Sequence, residues 1–438
     1  MANSDLRGAV RGRVLLPGED GFDQAAQAWN RAVEQPVAAV VEAADADDVA
    51  ALVGYARRSG LSVTAQPSGH GASGDVDGVI LLRTARLDEV EVRPGERLAR
   101  VGAGVKWGAV QAAAGAYGLT GLAGSSPVVS VVGYTLGGGL SWFSRKYGWA
   151  SEGVRAFDVV DADGVQARVT AASDAELFWA LRGGGGDFAL VTAIEFDLYP
   201  APGLYGGRVM WPGSRAGEVL EAFHEITAEA PPELSVWLSR FEIPGAPPMV
   251  AMDAAYLGDA DQGATLLRRL DKVEGPIADT RGVVAVADLG GIADEPTGPV
   301  HGLSRAELLT GLDEDAARVL LTDPIDPLFA LQIRHLGGAL TGPGAGAAPV
   351  LAESYALYLH GGAAGPEPAR AARAEQDRIV RALGAQASGR KPFTSLAPGE
   401  TAATAFPERT LTRLRDLKRA RDPRNVFRAN YPVHGGLG

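Results

Sequence analysis

The stretch that most restricts how this chain can fold lies at 121–140 and reads GLAGSSPVVSVVGYTLGGGL. Its many Gly and Ser residues disfavour a long regular helix, because each glycine costs roughly 1 kcal/mol relative to alanine inside a helix. Its Val, Leu and Tyr residues are nevertheless too apolar for a loop that water surrounds. We therefore expect another group to pack closely on this backbone, where only small residues allow the approach.

Two further loops, at 67–74 (PSGHGASG) and 183–187 (GGGGD), have a similar composition. Backbone N–H groups of such loops can converge on a pyrophosphate, although composition alone is equally typical of structural turns. Neither loop is a Rossmann fingerprint, since RGGGGDF contains no correctly placed GxGxxG that opens a helix after the first strand, and the phosphate-binding GxxxxGK[ST] and HExxH patterns are absent. Six scattered His residues indicate no metal cluster, so we expect no metal.

Hydrophobic periodicity predicts βαβ-like units in the first part of the chain. A strand at 37–44 is followed by a helix that begins after Asp47 and Asp48 and ends at Gly60, and a second strand at 61–66 leads into the 67–74 loop. The alternation at 192–199 predicts a strand that closes the first domain near Pro200. The other expected elements here are strands at 78–82, 98–101 and 156–161 and a helix that starts at Trp107.

From about residue 203 the pattern changes to longer strands separated by helical stretches, which predicts a second α+β domain. The loop at 337–349, GGALTGPGAGAAP, is low in complexity, and we expect it to be mobile. The tail at 411–430 runs from an amphipathic basic helix into DPRNVFRAN. The expected strands of this part are 236–241, 249–256, 329–333 and 355–359.

Length, charge and cysteine content narrow the class of protein. A chain of 438 residues exceeds the size at which one hydrophobic core keeps growing, which favours two packed domains. The net charge of −12 would repel a nucleic acid, so we expect no such partner. The absence of Cys excludes disulfides and any cysteinyl bond to a cofactor. We expect no signal peptide and no membrane span, and hence a cytoplasmic protein.

Five passages taken together resemble a known family. They are PSGHGASGDVDGVILLRTARLDEVEV, ARVGAGVKWGAVQ, SSPVVSVVGYTLGGGLSWFSRKYG, LFWALRGGGGDFALVTAIEFDLYP and DPRNVFRANYP. In this order they resemble the FAD-linked oxidases of the vanillyl-alcohol oxidase and berberine-bridge-enzyme-like family, over about the first 200 and last 40 residues. The resemblance implies an α+β fold: a PCMH-type FAD-binding domain of two α+β subdomains at 1–201, and an α+β substrate domain with an antiparallel sheet at 202–400. A berberine-bridge-like segment at 401–438 would pack back on the FAD domain.

The resemblance also implies a cofactor site. The histidine of the GGH loop carries the flavin through its 8α methyl group in this family, and here that histidine is His70. Many relatives add a second bond from a cysteine, but Ser126 occupies that position here, so we expect FAD to be singly linked through His70 or bound without a covalent link. The expected cofactor-binding residues are Pro67, Ser68, Gly69, His70, Gly71, Ser73, Ser125, Ser126, Gly133, Tyr134, Gly137, Gly138, Val191, Asn430 and Tyr431.

The residues of catalysis are less well marked. Relatives often carry a Tyr-x-Asn stretch ahead of the last helix, and the corresponding 393–395 segment, Phe-Thr-Ser, has no such base. Tyr358 and His360 share one face of their strand by period two, as do Gln332 and Arg334. Such a face either lines the substrate pocket or is solvated sheet surface. Our catalytic candidates are Tyr358, His360 and Arg334, and we expect Trp142, Trp179 and Trp237 to pack in the core.

The resemblance implies an FAD-dependent oxidoreductase. It would transfer hydride from a small organic or natural-product substrate to flavin N5, with reoxidation by O₂. An alternative is an FAD-containing natural-product cyclase without net redox change, which the loss of both the cysteine and the tyrosine motivates. A non-catalytic binding protein is a third. The Ala-, Arg- and Gly-rich composition is typical of secondary-metabolism enzymes of high-GC bacteria, whereas the substrate and the oligomeric state are not specified.

Overall fold

A computed structural model of the protein describes residues 2–434, and it begins with a small mixed sheet of strand order β1-β2-β4-β3. β4 runs parallel to both β2 and β3, while β1 is antiparallel to β2. The chain leaves β3 directly into the 67–74 loop, as the sequence predicts. The elements of this part are α1 (Ala2–Ala9), β1 (Arg13–Leu15), α2 (Phe22–Ala26), β2 (Ala39–Glu42), α3 (Ala46–Ser59), β3 (Val63–Ala65) and β4 (Ile80–Arg83).

The ends of α3 follow from two residues. Asp45 is extended, and its carboxylate accepts a hydrogen bond from the N–H of Asp48 at 3.1 Å, which satisfies one donor of the first turn. Gly60 adopts φ 67°, the left-handed conformation that ends many helices and that favours glycine. Val49, Leu52 and Val53 are buried against the sheet. The predicted strand, cap and helix are thus confirmed.

A second sheet of order β5-β6-β10-β8-β9 is antiparallel throughout, and the 121–140 stretch lies beside it. Ile194 and Phe196 of β10 are buried, as their alternation predicts. A short ladder of β7 with β11 closes this region. Its elements are β5 (Val90–Arg93), β6 (Leu98–Gly102), α4 (Trp107–Gly115), β7 (Leu119–Thr120), α5 (Val131–Leu136), α6 (Ser144–Tyr147), β8 (Val154–Val160), β9 (Gln166–Val169), α7 (Ala175–Leu181), β10 (Leu190–Asp197) and β11 (Tyr199–Pro200).

A third, larger sheet begins at Tyr205, just beyond the expected domain boundary. Its order is β15-β12-β14-β13-β18-β19-β17, β16 also pairs with β12, and all its ladders are antiparallel. The elements are β12 (Tyr205–Pro212), α8 (Ala216–Ala228), β13 (Leu234–Phe241), β14 (Met249–Tyr256), α9 (Ala260–Leu267), β15 (Ala278–Asp279), β16 (Gly282–Val283), β17 (Gly302–Leu309), α10 (Glu314–Leu321), β18 (Leu328–His335), β19 (Tyr355–Gly362) and α11 (Pro366–Leu383).

The two faces of this sheet differ because successive side chains of a strand point to opposite sides. Leu238, Ile333 and Leu359 belong to the face that packs in one apolar core with residues of α8, α10 and α11. The opposite face carries polar side chains such as Gln332 and Tyr358, which lie directly across from each other on β18 and β19. This second face borders a cavity.

The 337–349 loop is held by contacts near both of its ends, while its expected mobility stays a prediction. Gly338–Thr341 forms a 3₁₀ turn, and Leu340 and Ala347 are only 1% and 2% exposed. The N–H of Ala347 donates to the carbonyl of Arg182 at 2.8 Å, and Trp149 Nε1 donates to Pro349 O at 2.8 Å. The small residues that make this loop low in complexity are needed because it packs closely on other backbone.

The C-terminal segment returns to the first sheet. After α12 (Glu408–Arg421), Val63 N donates to Val426 O at 2.7 Å and Arg428 N donates to Val63 O at 3.0 Å. Phe427 is fully buried between these two hydrogen bonds. The return places Asn430 and Tyr431 beside the 67–74 loop. None of the helices within 2–434 is both long enough and apolar enough to cross a membrane.

Candidate functional site

A cavity of about 1320 Å³ separates the glycine-rich loops from the polar face of the large sheet. We call its two sides the loop wall and the sheet wall. The loop wall is formed by Trp29 and by parts of 66–74, 124–140, 185–191 and 428–431. The sheet wall is formed by the polar face of β12, β13, β17, β18 and β19, together with the 293–302 segment. The three loops that composition singled out therefore meet at one place.

His70 lies on the loop wall in a restricted setting. Its ring stacks on the indole of Trp29, with centroids 4.2 Å apart and planes 17° from parallel. Its Nδ1 is hydrogen-bonded to Ser68 Oγ at 2.8 Å, whereas its Nε2 is buried and has no hydrogen-bond partner within the described residues. Burial, with a smaller contribution from the charge of Lys106, lowers the pKa of His70 to about 4. The imidazole is therefore neutral at pH 7 and keeps a lone pair available.

Arg83 holds the first loop next to this histidine. Its guanidinium donates to three backbone carbonyls, those of Ala25 at 3.0 Å, Gln66 at 2.9 Å and Gln27 at 2.7 Å. Burial lowers the pKa of Arg83 to about 10, so it remains charged at pH 7. By joining the end of β3 to the 25–27 segment, Arg83 fixes both sides of the His70 and Trp29 stack.

A second clamp fixes the C-terminal part of the loop wall. The buried Lys418 Nζ donates to Asp187 O at 2.8 Å, Asp422 Oδ2 at 2.9 Å and Phe427 O at 2.7 Å. The Asp187 carboxylate accepts from the N–H groups of Ala429 at 3.1 Å and Val433 at 2.9 Å. The clamp joins the 183–187 loop to the segment that carries Asn430 and Tyr431.

The loop wall offers polar atoms that the described part of the protein leaves unsatisfied. A buried polar atom without a partner costs free energy, so a group of them around one cavity indicates a polar ligand. A Cβ added at Gly71 would also meet no atom within 4 Å and would project into open space. These residues fit an FAD molecule. The unsatisfied atoms are Trp29 Nε1, Gln66 Oε1, His70 Nε2, Ser126 Oγ, Tyr134 OH and Tyr431 OH.

All but one of the expected cofactor-binding residues line the cavity. Pro67, Ser68, Gly69, His70, Gly71, Ser73, Ser125, Ser126, Gly133, Tyr134, Gly137, Val191, Asn430 and Tyr431 all line the cavity. Gly138 does not line the cavity in the described structure, and its expected contact with the cofactor stays a prediction. Gly138 has φ 101°, and a Cβ there would approach the Trp149 ring to 3.1 Å. A glycine is needed at this position because the backbone has a positive φ and packs on Trp149.

Arg334 and Tyr358 lie together on the sheet wall. The Arg334 guanidinium lies over the Trp237 ring, 3.8 Å from its centroid, and over the Tyr358 ring, 4.4 Å from its centroid. Trp237 also stacks on Trp142 at 3.4 Å, so it packs as expected and additionally supports a cation. The Tyr358 hydroxyl is 3.2 Å from Ser395 Oγ, within the segment that lacks the family's tyrosine.

His360 is the third candidate on this wall. Its ring is nearly parallel to that of Tyr358, with an angle of 6° between the planes and 6.4 Å between the centroids. Its Nδ1 is hydrogen-bonded to Ser304 Oγ at 3.0 Å. Desolvation lowers the pKa of His360 to about 4, against an opposing influence of Glu295. The three catalytic candidates therefore border the cavity, and this face is not open sheet surface.

Several residues at the site escaped sequence reasoning. Glu295, whose Oε1 is 3.6 Å from Arg334 Nη2, comes from an irregular segment without a recognisable motif. Trp29 likewise stands in no periodic pattern. Gln66, whose Nε2 donates to Asn430 Oδ1 at 2.8 Å, could have been inferred from its place between a strand and the glycine loop. Within 2–434, no group of three or more His, Asp or Glu side chains could hold a metal ion.

The chain is similar in sequence to known FAD-binding proteins. Residues 37–170 match the family model described as FAD binding domain. The chain is 27% identical to (R)-6-hydroxynicotine oxidase of Paenarthrobacter nicotinovorans over 97% of each protein. It is 35% identical to an FAD-dependent monooxygenase of Cochliobolus heterostrophus over 46% of this chain and 40% of that protein.

Solved structures show the same fold over nearly the whole chain. The 6-hydroxy-D-nicotine oxidase of Arthrobacter nicotinovorans superposes with a TM-score of 0.84 at 24% identity, covering 97% of this chain and 98% of the other. A berberine-bridge-enzyme-like protein of Physcomitrella patens superposes with a TM-score of 0.87 at 18% identity, covering 99% of both. The α+β fold with its antiparallel sheet is thereby confirmed as that of berberine-bridge-enzyme-like proteins and 6-hydroxynicotine oxidase, and the chain is an FAD-dependent oxidoreductase.

Proposed function

We propose that this protein oxidises a small organic molecule in the cavity between the loop wall and the sheet wall, with O₂ as the final acceptor. When bound, FAD supplies the two-electron redox chemistry, and the protein supplies binding, orientation and electrostatics. The observation that carries the proposal is the group of unsatisfied polar atoms on the loop wall, opposite a wall of ionisable and aromatic side chains. The relatives named above are oxidases or monooxygenases, which gives the cyclase alternative no support.

The loop wall would hold the cofactor. The backbone of 67–74 would surround the pyrophosphate, since N–H groups of glycine-rich turns bind anions. We propose a single covalent link at His70, because its neutral ring is held by Trp29 and Ser68 and keeps one buried nitrogen free of partners. Ser126 cannot form the second link that a cysteine would make. The expected cytoplasmic location and role in secondary metabolism stay predictions.

The sheet wall would accept the substrate proton through His360. A general base must be unprotonated at the working pH. The pKa of about 4 keeps His360 neutral at pH 7, and Ser304 fixes the orientation of its ring. A tyrosine, by contrast, must first lose its own proton, and the Tyr358 hydroxyl is hydrogen-bonded to Ser395. His360 is therefore our choice of base.

The proposal is tested by the absorbance spectrum of the purified protein before and after acid precipitation. We expect a yellow native protein and a yellow pellet for the wild type, and a colourless pellet for His70→Ala. His224→Ala, on α8 outside the cavity lining, is the matched control and should keep its colour in the pellet. FAD released into the wild-type supernatant would contradict the covalent link. A colourless native protein that FAD cannot reconstitute would contradict the flavoprotein proposal itself.

A further inference from the structure

Two arginines of the large sheet border the cavity, and their charge partners differ. Arg208 on β12 donates through Nε and Nη2 to the buried Asp253 carboxylate at 2.6 and 3.0 Å, and through Nη2 to Ala293 O at 2.7 Å. Its charge is thus neutralised by close hydrogen bonds. Arg334 has no carboxylate at such a distance within the described residues, since its ion-pair partner Glu295 lies at 3.6 Å.

The surroundings of Arg334 leave one part of its guanidinium available. The guanidinium lies over the aromatic rings of Trp237 and Tyr358. Nε donates to Gln332 Oε1 at 2.6 Å, and Nη2 lies 3.4 Å from Ser125 Oγ. Nη1 makes no hydrogen bond to any group in residues 2–434, although the side chain is only 12% exposed. An available donor on a cation that lines the cavity is therefore fixed in place before any ligand arrives.

A largely buried cation whose counter-charge lies beyond hydrogen-bond distance is only partly compensated, and an anion bound closer to it adds the missing compensation. Arginine binds carboxylates through parallel, charge-assisted hydrogen bonds that are stronger than neutral ones. The neighbouring cavity lining is rich in rings, with Tyr358 beside Arg334 and with Phe329 and Phe393 also contributing. Such a wall suits an apolar, ring-bearing body attached to the anionic group.

We infer that the substrate is an organic acid whose carboxylate binds Arg334 while its ring-bearing body packs on the sheet wall. This inference rests on the proposed function, because it names the substrate class of the same cavity. Glu295 competes for the same guanidinium. Its carboxylate belongs to the 293–302 segment and its side chain is 34% exposed, so it stays near Arg334 in the free protein and yields to the incoming acid. Arg334 and Glu295 therefore affect acid binding in opposite directions.

The test is a titration of the yellow holoenzyme with benzoate and with its neutral counterpart benzamide. Binding is followed by the flavin difference spectrum and, independently, by the heat released. We expect wild-type protein to bind benzoate at least about tenfold more tightly than benzamide, as a charge-assisted hydrogen bond predicts. Arg334→Gln should weaken benzoate binding by a similar factor and leave benzamide within about twofold. Glu295→Gln should instead tighten benzoate binding.

Arg370→Gln serves as the matched control. Arg370 is exposed on α11 and does not line the cavity, so its substitution removes the same charge at a distance from the site and should not change either affinity. Equal affinities for benzoate and benzamide in a yellow protein would overturn the inference and leave the flavoprotein proposal intact. An Arg334→Gln protein with an altered flavin spectrum but unchanged benzoate affinity would also overturn it, since Arg334 would then serve the cofactor. A colourless protein would contradict the proposed function instead.

Discussion

The loop wall and the sheet wall line the same cavity but are built in different ways. The loop wall consists largely of backbone and small residues, and it presents buried polar atoms that lack partners. On the sheet wall the side chains are hydrogen-bonded to one another or to neighbouring side chains: Arg334 to Gln332, Tyr358 to Ser395 and His360 to Ser304. A wall of backbone suits a large cofactor that is always the same, whereas a wall of interlinked side chains sets which substrate is accepted. Substitutions on the two walls should therefore affect different properties.

The largest effect is expected from Gly71→Leu on the loop wall. A Cβ at Gly71 meets no atom within 4 Å, so the new side chain would occupy the cavity without disturbing the fold. We expect a folded protein that is purified without FAD, measured as the ratio of flavin to protein absorbance. Gly217→Leu is the control, because that glycine also faces open space but lies on α8. If the Gly71→Leu protein keeps its full FAD content, the cofactor does not bind beside the 67–74 loop.

On the sheet wall, His360→Asn should slow substrate-driven bleaching of the flavin by about 10²–10⁴-fold, the usual contribution of a general base. FAD content should not change. Because the pKa of His360 is about 4, its imidazole stays unprotonated above that value, and the wild-type rate should fall only as the pH drops through about 4. Anaerobic stopped-flow absorbance measures both effects. If Tyr358→Phe causes the larger loss, the base is assigned wrongly.

Lys418→Met tests the clamp behind the loop wall. Removing this cation leaves Asp187 and Asp422 buried without it, and breaking a buried ion pair in this way costs about 3–5 kcal/mol. We expect the free energy of unfolding in urea to fall by that amount. Lys146→Met, which removes a partly exposed pair with Glu233, should cost less than about 1 kcal/mol. Similar losses in the two variants would contradict the clamp.

The smallest effect is expected from Ser304→Ala. The substitution removes the hydrogen bond to His360 Nδ1, and a single hydrogen bond contributes about 0.5–1.5 kcal/mol. The limiting rate of flavin bleaching should fall roughly 2–10-fold, while the melting temperature and the dissociation constant for benzoate stay unchanged. A change in melting temperature without a change in rate would show that Ser304 only supports the fold.

The sequence predicts the loop wall better than the sheet wall for a physical reason. Backbone that approaches a ligand needs small residues in one short segment, so the 67–74 and 121–140 stretches reveal themselves locally. The same composition at Gly138 and in the 337–349 loop accompanies contacts within the protein, because small residues also allow protein to pack on protein. Residues whose role depends on distant neighbours leave no local pattern.

The sheet wall shows this limit most clearly. Period two places Tyr358 with His360 and Gln332 with Arg334, but it does not tell which face of the sheet meets the cavity. That choice follows from α8, α10 and α11, which cover the other face. Glu295 and Trp29 come from irregular segments, so only the folded structure brings them to Arg334 and His70.

The most direct test of the account is a crystal structure of the yellow protein soaked with benzoate. We predict FAD density along the loop wall, continuous with His70, and a benzoate carboxylate on Arg334 at the sheet wall. The two ligands would then share one cavity from opposite sides. FAD density outside the loop wall, or a flavin that itself occupies the Arg334 guanidinium and excludes benzoate, would contradict the division of the cavity into a cofactor wall and a substrate wall.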